Sequence, residues 1–281
     1  MDERTLTLEQ IMAYGGYLRT EERAPGTIEK YLRDARSFAV WLDGAPVTKE
    51  NATGWKEQLR AQGYAPTTIN SMLAALNNLF RFLGWNECHM KFLKIQRRLF
   101  RDTARELTRA EYEQLIRTAE TQGKHRLALL MEAICATGVR VSEVKYLTVE
   151  AARSGCAEIS LKGKIRTILL PNKLCRKLLK YAKKQKIASG EIFLTRSGRG
   201  ISRKQVWAEM KAVCRKAGVA DSKVFPHNLR HLFARAFYQA SRDVVKLADV
   251  LGHSSIETTR IYLLSTGAEH ARQLARLGLI S

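Results

Sequence analysis

A chain of 281 residues, 45% of them hydrophobic, is long enough for one large or two smaller packed domains. No apolar run approaches the roughly 20 residues of a membrane span, and Met1-Asp2-Glu3-Arg4-Thr5 lacks a signal-peptide pattern, so the expectation is a soluble, cytoplasmic protein with no membrane partner. Net charge is +21, from 48 basic and 27 acidic residues, and it is segregated: residues 1–90 hold 10 Lys/Arg and 11 Asp/Glu, residues 91–281 hold 38 and 16.

A field of that size in one part of a chain concentrates polyanions and favours binding by counterion release. Charge thus selects nucleic acid as the partner without distinguishing DNA from RNA. Cys88, Cys135, Cys156, Cys175 and Cys214 are odd in number, far apart and without C-x-x-C spacing, which argues against a disulfide framework, a zinc site or a redox centre.

Residues 1–90 read as four helices. Thr7 and Gln10 form a capping-box pattern ahead of Leu8, Ile11 and Leu18. Ile28, Tyr31, Leu32, Ala35, Phe38, Ala39 and Leu42 make an i, i+3, i+4 stripe that stops at Gly44. Thr48 opens a third helix and Gly63 closes it; Ile69, Met72, Leu73, Leu76, Phe80 and Leu83 make the fourth. The second and fourth share a start, Ala24-Pro25-Gly26-Thr27 and Ala65-Pro66-Thr67-Thr68, in which the proline keeps the chain extended before a threonine able to cap. One face of this domain is expected to be basic, with Lys30, Arg33, Arg36 and Arg81, and the other acidic. Residues 91–106 change character, with Lys91, Lys94, Arg97, Arg98, Arg101 and Arg105 and no Pro or Gly. They read as a basic linker suited to DNA phosphates, or as a solvated helix face.

Residues 107–281 form a second domain. Thr108 and Glu111 cap a helix, and an almost wholly apolar helix around Arg126–Ala136 ends at Gly138, where Arg140 precedes a short helix through Val144 and Leu147. An arginine at a helix N-terminus is a phosphate fork, with Glu143 placed to brace it. Ile159 and Leu161, a Lys162-Gly163-Lys164 turn and Thr167-Ile168-Leu169-Leu170 predict a hairpin, and Ile192–Thr195 a further strand. His227 and Arg230, three apart behind Pro226, share a helix face, and His231 lies near it. Gly252-His253 falls between two helices, the second capped by Ser254 and Glu257, and Tyr262 lies on that second helix. Taken singly, each has a plain structural reading: a surface charge, a cap, a core tyrosine.

Ala136-Thr137-Gly138-Val139-Arg140-Val141-Ser142-Glu143, His227-Asn228-Leu229-Arg230-His231, Leu251-Gly252-His253 and Tyr262, in that order and spacing, resemble the tyrosine recombinase (phage-type integrase) family, with the likeness running from about residue 7 to 275. The resemblance implies a mainly α chain with a small β-sheet. It would comprise an N-terminal four-helix core-binding (SAM-like) domain over 1–90, the linker 91–106 and a C-terminal α+β catalytic domain over 107–281, the two domains clamping duplex DNA. It also implies site-specific cleavage and rejoining of DNA, in a mobile element or prophage. Tyr262 would form a 3′-phosphotyrosine, Arg140 and Arg230 would hold the phosphate, and His227 and His253 would donate hydrogen bonds. Lys162, with Lys164 as rival, would protonate the leaving oxygen, and Glu143 and His231 would support. No cofactor or metal is implied. Partners would be double-stranded DNA and three further copies in a homotetramer on paired sites, with accessory DNA-bending or directionality factors compatible with it; the segment with Ala268, Ala271, Leu274, Ala275 and Leu277 would dock on a neighbouring copy. Lys91, Lys94, Arg97 and Arg98 are the expected linker contacts to DNA. Alternatives are a Xer-like resolvase of replicon dimers, a type IB topoisomerase, and an inactive DNA-binding protein on the same scaffold, the last disfavoured because Tyr262 and both arginines are present.

Overall fold

The computed structural model describes residues 4–95, 103–161, 164–253, 255–263, 271–272 and 274–277. The chain forms two compact units, Met1–Arg97 and Arg98–Ser281. Among the described residues no helix is long and apolar enough to cross a membrane, and the five cysteines are free thiols.

The first unit is four helices, α1 (Leu8–Thr20), α2 (Pro25–Leu42), α3 (Lys49–Ala61) and α4 (Pro66–Phe82). The capping box of Thr7 and Gln10 is formed in both directions. Thr27 and Thr68 do not cap. Pro25 and Pro66 are themselves the first helical residues, and Ala24 and Ala65 take the extended cap position without a side-chain bond. Proline's fixed φ suits the first turn, and its missing N–H would have had no helical partner there. The core is aromatic at its centre: the Phe38 ring meets Trp55 edge-on at 5.3 Å and Phe80 at 5.9 Å. On the face expected to be basic, the buried Asp34 pairs with Lys30 at 2.7 Å and Arg33 at 3.1 Å, so part of that charge is answered within the unit.

The segment 91–106, expected as one linker, divides between the units. Asn77 on α4 donates to Met90 O at 2.9 Å and accepts from Met90 N–H at 2.8 Å; Asn70, seven residues earlier, does the same for Leu93 at 2.9 and 2.8 Å. Two amides on one helix face thus tie residues 90–93 to α4. Lys91 and Lys94 project from this tied strand as exposed side chains. Arg97 and Arg98 lie outside the described residues, and Thr103–Arg105 is a 3-10 turn of the second unit.

The second unit is organised by α6 (His125–Thr137), apolar on nearly every side and packed by α5 (Arg109–Thr121), α8 (Asn172–Lys184), α9 (Arg203–Cys214) and α10 (Pro226–Ser241). A 3-10 helix (Val141–Tyr146) and α7 (Val149–Ser154) lead to a two-stranded antiparallel sheet of β1 (Cys156–Leu161) and β2 (Lys164–Leu169). Its register is unbroken from Cys156↔Leu169 to Leu161↔Lys164, so the turn is two residues, Lys162-Gly163, and Lys164 belongs to β2. The strand expected at Ile192–Thr195 contributes only isolated bridges, Thr148↔Glu191 and Leu194↔Gly200. The helix α8 buries Leu174, Cys175, Leu178 and Ala182 and exposes Lys173, Arg176, Lys177, Lys180, Lys183 and Lys184, which locates a large share of the positive charge. Two short helices, α11 (Val244–Leu251) and α12 (Ile256–Arg260), follow α10.

Gly138 ends α6 in the left-handed conformation at φ +65°, and a Cβ there would lie 2.5 Å from Phe233 Cδ1 and 3.1 Å from Leu251 Cδ2. Gly155 ends α7 at φ +78° with nothing within 4 Å. Gly155→Ala should cost only the left-handed backbone, about 1–2 kcal/mol. Gly138→Ala should cost roughly 1–3 kcal/mol more from overpacking. Urea denaturation of both variants checks this; equal losses would show that the close approach of Phe233 constrains nothing.

Candidate active site

The helix α10 begins at Pro226, which sets His227 and Arg230 on its first turn. Arg230 is 1% exposed. Its guanidinium donates to Gly138 O, to Leu251 O at 2.8 Å, and lies 3.0 Å from His253 Nε2. Gly138 and Leu251 are at the C-terminal ends of α6 and α11, where carbonyls left over by the helix carry partial negative charge. These dipoles hold a cation that would be costly to bury alone. Burial, then the nearby Arg140, weakens its hold on the proton, and contact with the Tyr262 hydroxyl opposes that. No ion pair among the described residues involves Arg230, so its charge is held without being cancelled.

His253 follows Gly252, the left-handed cap of α11. Arginine can only donate, so His253 Nε2 accepts from Arg230, and the imidazole proton belongs on Nδ1, which donates to Thr259 Oγ1 at 2.9 Å. Burial, followed by the charges of Arg230 and Arg140, pushes the His253 pKa down to about 4. His231 is pushed to about 3 by burial and then by His227, and His227 is lowered by desolvation and then by Arg230 and Arg140. All three imidazoles are therefore neutral at pH 7 before any anion arrives.

Tyr262 is 5% exposed and packs with Ala234, Leu247 and Leu251. Its ring stacks on His253 at 5.8 Å and lies 4.4 Å from His231, which meets His227 edge-on at 4.7 Å. It stands in the turn after α12, since that helix ends at Arg260. Ser255, rather than Ser254, caps α12, its hydroxyl accepting from Glu257 N–H at 3.2 Å; Ser254 lies outside the described residues. The helix ends at Arg260 with Ile261 as its C-cap, so Tyr262 stands outside its periodicity.

Arg140 donates from its backbone to Glu143 Oε2 at 2.7 Å and from Nη1 to Glu143 Oε1 at 2.9 Å, the bracing expected from the sequence. A third donor was not expected: Arg166 on β2 reaches the same Glu143 Oε2 at 2.5 Å and Val250 O at 3.2 Å. Its sequence signal is its place in the alternation, since it shares the inward face of β2 with Ile168, an alternation that Leu170 continues just past the strand. Thr259, fully buried beside His253, left no such signal.

Arg140, His227 and Arg230 line one cleft of about 500 Å³, with Arg203 and Trp207 of α9 on its wall. Of the residues expected at the site, the structure thus brings together Arg140, Glu143, His227, Arg230, His231, His253 and Tyr262. Lys162 lies outside the described residues, and Lys164 opens β2 opposite Leu161. The constellation can grip one phosphate group with two arginines and place a tyrosine hydroxyl beside it.

Comparison with known proteins agrees across both units. The profile of the phage integrase family matches residues 105–269, and that of the phage integrase N-terminal SAM-like domain matches 11–87. The tyrosine recombinase XerA of Pyrococcus furiosus is 31% identical over 97% of this chain and 95% of its own. XerD of Brucella suis is 33% identical over 85% and 86%. In fold, a lambda integrase, solved as a tetramer bound to a Holliday junction, is similar with a TM-score of 0.75 at 18% identity, covering 93% of this chain and 78% of that one. With the catalytic and SAM-like domains both matched and the relatives aligned nearly end to end, the chain belongs to the phage integrase family and is a tyrosine recombinase, an enzyme that cleaves and rejoins DNA through a tyrosine nucleophile.

Proposed function

We propose that Tyr262 is the nucleophile. Its Oη attacks the scissile phosphorus, the bond from phosphorus to O5′ breaks, and the 3′-phosphate stays on the tyrosine while the departing O5′ takes a proton. Arg140 and Arg230 neutralise the non-bridging oxygens, a preorganised electrostatic contribution of the kind that dominates phosphoryl transfer. His227 and His253 add hydrogen bonds, His253 after its Nε2, which accepts from Arg230 in the free site, takes up a proton, and His227 accepts the tyrosine proton. Lys162 gives the leaving oxygen its proton. The phosphotyrosine keeps the bond energy, so a second 5′-hydroxyl can reverse the step on another strand without ATP. The observation that carries this reading is the Arg230 guanidinium 3.0 Å from His253, whose ring stacks on Tyr262 at 5.8 Å, with no carboxylate among the described residues paired to Arg230.

Strand exchange on two duplexes calls for four such sites, hence a homotetramer on paired DNA sites. The exposed Leu274 and Leu277 support docking of the C-terminal segment on a neighbouring copy. The relatives matched over most of their length are Xer recombinases, which favours, beside integration of a mobile element, a second reading as a resolvase of replicon dimers. Inverted repeats around a short core in the DNA flanking the gene, or on the replicon, separate the two.

Tyr262→Phe keeps the ring packing and removes the oxygen. It should abolish covalent protein–DNA adducts on a nicked suicide substrate and leave DNA affinity nearly intact. Adducts at the wild-type level would remove the assignment.

The general acid can be separated from its neighbour by the leaving group. Sulfur in place of O5′ departs without a proton, so Lys162→Ala should be slowed by roughly 100-fold or more on ordinary DNA and largely rescued on a 5′-bridging phosphorothiolate. Lys164→Ala should show a mild defect without selective rescue. Exchanged phenotypes would make Lys164 the acid.

Beyond residue 90 the net charge is +22, so log K for DNA should fall with log salt by several units. Neutralising Lys91, Lys94, Arg97 and Arg98 should flatten that slope by about one unit for each DNA phosphate that they neutralise. An unchanged slope would free these four from any part in binding.

A further inference from the structure

Arg166 occupies a position that strand alternation gives to the core. Its neighbours on that face, Ile168 and Leu170, are each 4% exposed. A guanidinium there must be held by partners. One is the carboxylate of Glu143 at 2.5 Å, the other the carbonyl of Val250 at 3.2 Å; its Nε is buried without a partner. The chain also makes room for it. A Cβ on Gly252 would stand 2.5 Å from Arg166 Cδ and 2.7 Å from its Nη1, so the residue next to His253 is a glycine facing this side chain.

We infer that Arg166 is a positioning residue for DNA cleavage, acting on the scissile phosphate only through Arg140 and His253. The inference rests on the reading above that Arg140 neutralises the phosphate and His253 adds a hydrogen bond to it. Glu143 is a single buried carboxylate between two guanidiniums. Paired with Arg140 alone, it would cancel the charge it is meant to aim. Shared with Arg166, it leaves the trio one net positive charge, and the exposed member is Arg140, with 42% of its side chain accessible against 16% for Arg166. The bond to Val250 O fixes the last turn of α11, from which Leu251 O reaches Arg230 and Gly252 leads into His253. One side chain on the hairpin strand thus sets the two loops that carry the phosphate ligands. Lysine cannot replace it, because donors on one nitrogen do not span two acceptors in a fixed fork.

The test uses the full chain, single-turnover adduct formation and three nicked substrates: a phosphodiester, a methylphosphonate at the scissile position, and a 5′-bridging phosphorothiolate. The methylphosphonate carries no negative charge and so needs little from an aimed cation. Arg166→Ala and Arg166→Lys should cleave the phosphodiester on the order of 10–100-fold more slowly, less than the ~100–1000-fold loss of a directly contacting donor. DNA affinity should stay within about 3-fold, because the lost interaction belongs to the transition state. The defect should largely vanish on the methylphosphonate and persist on the phosphorothiolate. Glu143→Gln should give the same substrate profile, and with Arg166→Lys it carries the test if Arg166→Ala does not fold. Wild-type cleavage of the phosphodiester by Arg166→Ala, a defect equal on all three substrates, or rescue by sulfur alone would each overturn the inference. Tyr262→Phe on the same substrates keeps the two readings apart: adducts from that variant would strike the catalytic assignment, whereas their absence beside an unimpaired Arg166→Ala would strike only the role of Arg166.

Discussion

The site depends on burying the Arg230 guanidinium between the C-terminal ends of two helices. A carboxylate would have been the simpler partner, but it would also have cancelled the charge a phosphate needs. Helix-end carbonyls of α6 and α11 supply partial negative charge instead, enough to hold the cation and too little to neutralise it. The constraint propagates outward. Gly138 has to be left-handed to turn its carbonyl inward and bare of a Cβ to let Phe233 approach, and α11 has to stop at Leu251 to present its own.

The remaining charges are arranged by the same logic of incomplete cancellation. Glu143 answers two guanidiniums with one carboxylate, leaving the outer one positive. The three histidines, surrounded by arginines and partly desolvated, stay neutral and pack their rings around Tyr262, and His253 adds hydrogen bonds to Arg230 and Thr259. Kept neutral, they add no further positive charge beside the two arginines.

Much of this was legible in the residues. The helices of the first unit, the capping boxes at Thr7 and Thr108, the end of α6 at Gly138 and the bracing of Arg140 by Glu143 follow from local patterns whose partners lie three or four residues away. What escaped the sequence was non-local or depended on one residue of register. The start of α2 and α4 at proline was missed because a nearby threonine offered a more familiar cap. Ser254 and Ser255 are chemically identical candidates, and only the backbone path past His253 decides between them. Tyr262 reads as helical because Ile261, Leu263 and Leu264 continue an apolar pattern, yet the chain turns there. The tie of residues 90–93 to α4 rests on Asn70 and Asn77, polar residues whose ordinary reading is surface. Arg166 meets its partners 23 and 84 residues away, and no spacing rule reaches that far.

The two-residue turn between β1 and β2 brings these pieces together. With Leu161 paired to Lys164, only Lys162 and Gly163 connect the strands, and Arg166 lies opposite Ile159, two pairs further down the ladder. A bulge in β2 would turn Arg166 to the other face, because each residue of slip exchanges the faces of a strand. An unbroken register fixes which face Arg166 takes, inward against Glu143, while the turn two pairs away carries Lys162. The hairpin thus holds Arg166 against Glu143, while its last pair, Leu161 with Lys164, stands one residue along the chain from the lysine proposed as proton donor.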